Sequence, residues 1–208
     1  AGETLGRRGL SCATPGWKVA LQRYRLLPGI RIGDHVKSWD VLKTVGFIES
    51  RVAKDDPVLD IGAYASEVPL ILHGLGYRRV AGIDLNTDIV KMLHAGAIDY
   101  RVGDFLHAPF PDRSFAAVTA ISVIEHGFNG EALAAEVARL LKPGGFFIAS
   151  FDYWPEKIAT DGIGMFGMSW TIFSRQEVQQ FLAMAKECGL VPCGPLAFDA
   201  ADRPVSCA

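Results

Sequence analysis

The sequence predicts an α/β domain with a doubly wound, mostly parallel sheet, and two observations carry that prediction. Short aliphatic and β-branched runs, Pro57-Val-Leu-Asp-Ile-Gly62 and Val80-Ala-Gly-Ile-Asp84, are apolar and end in a glycine or an acid. Runs of that kind are strands buried on both faces, with a loop at the carboxyl end. Segments of helical periodicity alternate with them, which implies right-handed βαβ crossovers and a parallel sheet. Asp60 and Asp84 lie about 24 residues apart, the length of one strand–helix–strand unit. An acid at the tip of the second strand is placed to accept both ribose hydroxyls of an adenosine-containing ligand.

The elements follow in chain order. Residues 1–28 lack clear periodicity and read as an arm or lid. Ser38 is placed to cap a helix through Trp39, Leu42, Val45 and Ile48, which Gly46 weakens. Residues 57–62 are strand one. Residues 66–75 are a helix with Pro69 in its first turn, closed by Gly74 and Gly76. Residues 79–84 are strand two. Thr87 caps a helix through Ile89, Val90 and Leu93 that ends at Gly96. Residues 99–103 and Phe115–Ile121 are strands three and four. Residues 131–141 are an amphipathic helix with Leu133, Val137, Leu140 and Leu141 on one face. Lys142-Pro-Gly-Gly145 stops it, and residues 146–150 are strand five. Ser174-Arg-Gln-Glu177 is a capping-box pattern opening a helix, and residues 190–198 are strand six. The expected organisation is an arm and helix over 1–50 and a ligand-binding domain over 51–208. An aromatic lid is expected at 151–173.

Bulk properties narrow the function. With 208 residues, 50% hydrophobic, and a formal net charge of -2, the chain is an ordinary globular domain without a basic block, so nucleic acid is not an expected partner. Cys12, Cys188, Cys193 and Cys207 form no C-x-x-C pair and read as reduced thiols of a cytoplasmic protein. His35, His73, His94, His107 and His126 lack metal-ligand spacing, so no metal is expected. No apolar run reaches the roughly 20 residues that cross a bilayer, and no membrane partner is expected. The chain does not begin with Met, as expected of a processed, trimmed or fragmentary polypeptide. Its oligomeric state is unknown at this level. Arg7-Arg8 and Arg23-Tyr-Arg25 read as a solvated arm rather than a site for an acidic acceptor.

The first turn, Gly62-Ala-Tyr-Ala-Ser-Glu67, has only the first glycine of a dinucleotide loop, and Glu67 places a negative charge where a pyrophosphate would sit. A cofactor without phosphate fits better. From Val58 to Ser150 the chain resembles the class I S-adenosylmethionine-dependent methyltransferases, of the small-molecule type. Val58-Leu-Asp-Ile-Gly62 and Gly82-Ile-Asp84 resemble that family's first two motifs. Gly103-Asp104-Phe105 resembles the third. Phe110-Pro-Asp-Arg-Ser-Phe115, Ile121-Ser-Val-Ile-Glu-His126 and Leu140-Leu-Lys-Pro-Gly-Gly145 resemble the segments around strands four and five. Six motifs in the right order make the resemblance specific.

The resemblance implies a Rossmann-like methyltransferase fold, S-adenosyl-L-methionine as cofactor and a small-molecule acceptor. It places Asp60, Gly62, Ala63, Tyr64, Asp84, Leu85, Gly103, Asp104, Phe105, Ile121 and Ser122 around the cofactor. Asp84 would take the ribose hydroxyls, Asp104 the adenine amino group and Phe105 the ring face. His126, at the carboxyl edge of strand four, suits a base for the acceptor and also a local packing role. Asp152, Tyr153, Trp154 and Trp170, in the aromatic stretch after strand five, suit an acceptor-binding lid or a plug completing the core. Two departures stand out: Tyr64 and Ser66 replace the family's later glycines, and the sequence after Phe198 is too short for the closing strand. Either the sheet ends at six strands or the chain is cut. The alternatives are a catalytically inactive scaffold that kept the fold and a nicotinamide-dependent oxidoreductase, which Gly62-x-Tyr64 disfavours.

Overall fold

A computed structural model describes residues 1–199. Five parallel strands form the sheet: β1 (Val58–Ile61), β2 (Val80–Asp84), β3 (Asp99–Val102), β4 (Phe115–Ile121) and β5 (Leu141–Ser150). Their spatial order is β3-β2-β1-β4-β5, so the connections reverse direction between β1 and β4. Alternation sends Val58, Val80 and Ala117 to one core and Leu59, Ile61, Ile83 and Val118 to the other. That double burial is why the strand sequences are apolar throughout.

The first core lies under α1 (Gly2–Arg7), α3 (Ser38–Arg51) and α4 (Val68–Gly74). Leu5, Ile32, Val41, Val45 and Ile48 share it with Val58 and Ile71, so the core runs continuously across residue 50. Between α1 and α3 lies α2 (Gly16–Arg23), which buries no residue. The second core lies under α5 (Gly130–Leu140) and α6 (Arg175–Glu187). The capping box opening α6 is complete: Ser174 Oγ accepts the Glu177 N–H at 3.3 Å and Glu177 Oε2 accepts the Ser174 N–H at 2.8 Å. A short hairpin, β6 (Gly164–Met165) and β7 (Met168–Ser169), stands outside the sheet.

Several expectations are corrected. The helix expected after Thr87 is a 3-10 turn, Thr87–Lys91, capped by Asn86, whose Oδ1 accepts the Asp88 N–H at 2.9 Å. Only Ile89 of its apolar pattern finds the core, while Val90 and Leu93 stay exposed, so no packing surface rewards a longer helix. Residues 190–198 form no strand; among the described residues no partner strand lies beyond the β5 edge, and Val191 and Leu196 are exposed. β5 begins at Leu141, not at 146: Leu141 pairs with Phe115 across a register shift, which accommodates Pro143 on an edge strand. Ser38 does not cap α3; the chain enters from the 3-10 turn His35–Lys37, which starts with Asp34 Oδ1 accepting the Val36 N–H at 3.0 Å. Cys12, Cys188 and Cys193 are free thiols, and Cys207 lies outside the described residues.

Candidate functional site

The connections reverse between β1 and β4, and this is where a doubly wound sheet opens a crevice at its carboxyl edge. A cavity of about 640 Å³ lies there, lined from the sheet side by Gly62, Tyr64, Asp84, Phe105, Ser122 and His126. Gly62 has φ +68°, and a Cβ at this position would lie 2.3 Å from Val123 Cγ2. The loop after β1 therefore passes the loop after β4 only because residue 62 has no side chain. Ala65, Ser122 and Phe166, all lining the cavity, also hold left-handed φ values. Strain of this kind gathers where the surroundings over-determine the backbone, as at ligand sites.

Asp84 organises the crevice. Its Oδ2 accepts the Tyr64 N–H at 3.0 Å and its Oδ1 accepts the Asn86 N–H at 2.8 Å. Each carboxylate oxygen retains a lone pair, and the residue is half-buried at the cavity wall. Tyr64 has an ordinary backbone conformation, packs partly against the first core and lines the cavity. Glu67 is buried and its Oε1 accepts the Cys12 N–H at 2.9 Å, binding the N-terminal arm to the loop. The Gly33 N–H donates to the Ala65 carbonyl at 2.8 Å, so the arm also forms the opposite rim, with Asp34, Lys37 and Val41. Acceptor oxygens beside apolar walls fit an adenosine-bearing ligand, and the carboxylates oppose phosphate.

Not every expected residue reaches the cavity. Gly62, Tyr64, Asp84, Leu85, Phe105, Ile121, Ser122 and His126 line it; Asp60, Ala63, Gly103 and Asp104 do not. Ala63 is fully buried beneath the loop. The exposed Asp104 carboxylate caps the 3-10 turn Phe105–His107, its Oδ1 accepting the Leu106 N–H at 2.8 Å. Asp60, 2% exposed, accepts the Thr119 hydroxyl, and burial drives its carboxyl up to about 7 against the hydroxyls of Thr119 and Ser66.

The aromatic segment after β5 is arranged differently from the expected lid. Asp152, Tyr153, Trp154 and Trp170 are not among the residues lining the cavity. Trp170 Nε1 donates to Asp152 Oδ2 at 2.9 Å, the Tyr153 hydroxyl donates to the Phe198 carbonyl at 2.5 Å, and the Trp154 N–H donates to the Phe173 carbonyl at 2.9 Å. These bonds fix the segment's base. Its β6–β7 hairpin presents Phe166 and Met168 to the cavity instead, and Phe166 meets His126 edge to face at 5.2 Å. The hairpin is tied down where Gly127 N–H donates to the Ser169 carbonyl and Thr171 N–H to the Glu125 carbonyl, both at 2.9 Å. Sequence reading missed Lys37, Phe166 and Met168. The glycines around 162–167 were the available signal for the hairpin, whereas nothing local pointed to Lys37.

His126 has a buried Nδ1 without a hydrogen-bond partner. Burial, then Lys37, lower its pKa below 6.5 against the pull of Asp152, so the ring is neutral at pH 7 and able to take a proton. Glu125, 1% exposed, is driven up to about 7 by burial, with Asp152 adding and Lys37 and the Ser122 hydroxyl opposing. Its folded pKa lies above the unfolded value. The stability it contributes is therefore full below about pH 4.5 and is lost as pH rises through 7. Asp60 acts in the same direction. Stability, read as the thermal midpoint, is expected to fall between pH 5 and pH 8, and Glu125→Gln to remove on the order of 1–3 kcal/mol of that loss. Thermal unfolding of both proteins across this range checks it; parallel curves would remove Glu125 from the account.

Comparisons with known proteins agree with this architecture. Residues 59–149 match the family model described as a methyltransferase domain. The chain is 32% identical over 104 residues to a sterol 24-C-methyltransferase of Neurospora crassa, covering 46% of this chain and 27% of that protein. It is 36% identical over 75 residues to a probable S-adenosylmethionine-dependent methyltransferase of Mycolicibacterium smegmatis, covering 35% of this chain and 29% of that one. The match thus spans less than a third of either relative. Among solved structures, a putative methyltransferase of Bacillus halodurans superposes with a TM-score of 0.57 at 22% identity, covering 71% of this chain and 68% of that one. Geranyl diphosphate C-methyltransferase of Streptomyces coelicolor, in complex with Mg2+, geranyl diphosphate and S-adenosyl-L-homocysteine, superposes with a TM-score of 0.56 at 19% identity, covering 68% and 58%. At these identities the superpositions establish the fold.

Proposed function

We propose that this chain, whose residues 59–149 form a methyltransferase domain of the class I S-adenosylmethionine-dependent family, transfers a methyl group to an apolar small molecule. One observation carries the reading: a single cavity is lined both by the Asp84 carboxylate and the Gly62 loop and by the apolar side chains of Val41, Phe166 and Met168, with His126 in ring contact with Phe166. The bound cofactor supplies a methyl group activated on a sulfonium. Asp84 would hold its ribose, Gly62 would let the backbone approach its amino-acid end, and Phe105 would cover its adenine. Lys37 and the hairpin tip would exclude water, and the rigid loops would align the acceptor with the methyl group. Where the acceptor atom arrives protonated, His126 would take the proton at the edge of the cavity. That sterol 24-C-methyltransferases are among the relatives supports an apolar acceptor.

Two measurements test the reading. Calorimetry with S-adenosyl-L-homocysteine on the folded protein is expected to give saturable binding; none would leave the scaffold alternative. With S-adenosylmethionine and a panel of sterols and prenyl compounds, demethylated cofactor is expected to form. Its rate is expected to fall on an acid limb below neutral pH, where His126 becomes protonated. If His126 is the base, His126→Gln loses on the order of 10²–10⁴-fold in turnover and removes the limb.

A further inference from the structure

Residues 15–31 leave the protein and return to it at one stem, beside which Ile30 packs against the first core. The Thr14 N–H donates to the Ile32 carbonyl at 2.8 Å and the Ile32 N–H to Thr14 Oγ1 at 2.7 Å, closing a stem. Beyond the stem, α2 and the coil after it bury no residue. The excursion holds its own shape: the Leu26 N–H donates to the Leu21 carbonyl at 2.9 Å and Gln22 Nε2 to the Gly29 carbonyl at 3.1 Å. It carries Lys18, Arg23, Arg25 and Arg31 and no acidic residue, within a chain of net charge -2. It also leaves large apolar side chains in water, with Trp17 62% exposed, Tyr24 74% and Leu26 71%. At helical spacing Trp17, Leu21 and Tyr24 share one stripe.

We propose that this excursion is a docking surface for an anionic phospholipid bilayer. Indole and phenol rings settle at headgroup depth, the aliphatic side chains enter the acyl boundary, and the cations meet lipid phosphate and carboxylate. A nucleic acid would supply phosphate too. However, apart from Tyr24 the large side chains between the cations are the aliphatic Val19, Leu21, Leu26 and Leu27, and these offer nothing to base edges. Gln22 gives its Nε2 to the Gly29 carbonyl and its Oε1 is buried. Among the described residues no helix is long and apolar enough to cross a membrane, and the proposed contact is with the bilayer surface. This departs from the sequence expectation of no membrane partner, which rested on the lack of a spanning run. The stem sits at the cavity rim: Gly33 and Lys37 line the cavity, and the exposed Val36 and Trp39 stand beside them. Docking would set the cavity mouth against the lipid, the phase that holds an apolar acceptor.

The docking surface does not depend on the methyl-transfer reading, and the vesicle assay that tests it uses neither cofactor nor acceptor. The purified chain is sedimented with vesicles of phosphatidylserine and phosphatidylcholine and with vesicles of phosphatidylcholine alone. Binding is expected to the first, weakening steeply with salt. Joint Lys18→Gln, Arg23→Gln and Arg25→Gln substitution is expected to weaken it about a hundredfold, at about fivefold per cation. Trp17→Ala with Tyr24→Ala is expected to weaken it at least tenfold. These residues are exposed, so the thermal midpoint should stay put. Absence of wild-type binding, equal binding to phosphatidylcholine alone, or unchanged binding by the cation variant overturns the proposal. Tighter binding to poly(U) RNA than to vesicles assigns the surface to nucleic acid instead. Loss of S-adenosyl-L-homocysteine binding with vesicle binding intact would sink methyl transfer and leave the docking surface standing.

Discussion

Asp84→Ala is expected to lower affinity for S-adenosyl-L-homocysteine by about two orders of magnitude or more. The carboxylate accepts the N–H groups of Tyr64 and Asn86 and, on the proposed reading, two ribose hydroxyls. A hydrogen bond to a charged group contributes roughly 1.5–3 kcal/mol, and each factor of ten in affinity corresponds to about 1.4 kcal/mol. Losing the ribose pair alone therefore amounts to a hundredfold or more. The Tyr64 N–H would lose its acceptor as well, so the loop after β1 should loosen and the protein should lose about 1–2 kcal/mol of stability. Asp84→Asn, which keeps one acceptor oxygen without the charge, should fall between the two. Calorimetric titration of the three proteins decides the matter. An Asp84→Ala affinity within threefold of the wild type would remove the ribose assignment.

Gly62→Ala is expected to damage both stability and binding. The added Cβ would meet the Val123 side chain at 2.3 Å, and φ +68° disfavours any L side chain. The left-handed conformation costs roughly 1–2 kcal/mol and overpacking typically 1–3 kcal/mol, for a sum of about 2–5 kcal/mol. The thermal midpoint should drop by roughly 5–15 °C for a domain of this size. Shortening the obstructing side chain supplies the internal control. In Gly62→Ala/Val123→Ala the overpacking is relieved and the backbone strain remains, so part of the loss should return. A double variant no better than the single one would mean that the clash with Val123 is not the cause. The same experiment reports on the site, since both residues line the cavity.

The crevice was legible in the sequence because its makers are local signals on regular elements. Gly62 and Asp84 end apolar runs, and Ile121-Ser122 end a strand. Backbone periodicity alone places such residues at one edge of a parallel sheet. Asp104 shows the limit of local signals. An aspartate before an aromatic residue reads the same whether it faces a ligand or caps a turn, and here its oxygen bonds the Leu106 N–H. The strand expected over 190–198 shows a second limit, because apolar character does not make a strand without a neighbour to pair with.

What the sequence determined by itself is the order of the strands along the chain, their burial on both faces, and the loop residues that end them, because periodicity of two and of 3.6 is written into neighbouring residues. Tertiary structure alone decided which distant segments share the cavity. The N-terminal arm brings Lys37 and Val41, the β6–β7 hairpin brings Phe166 and Met168, and the side chains of Tyr153 and Trp170 bond to other partners. It also decided that Glu125 and Asp60 titrate near neutrality, since an ionisable group's charge depends on the water it has lost and on the neighbours that replace that water.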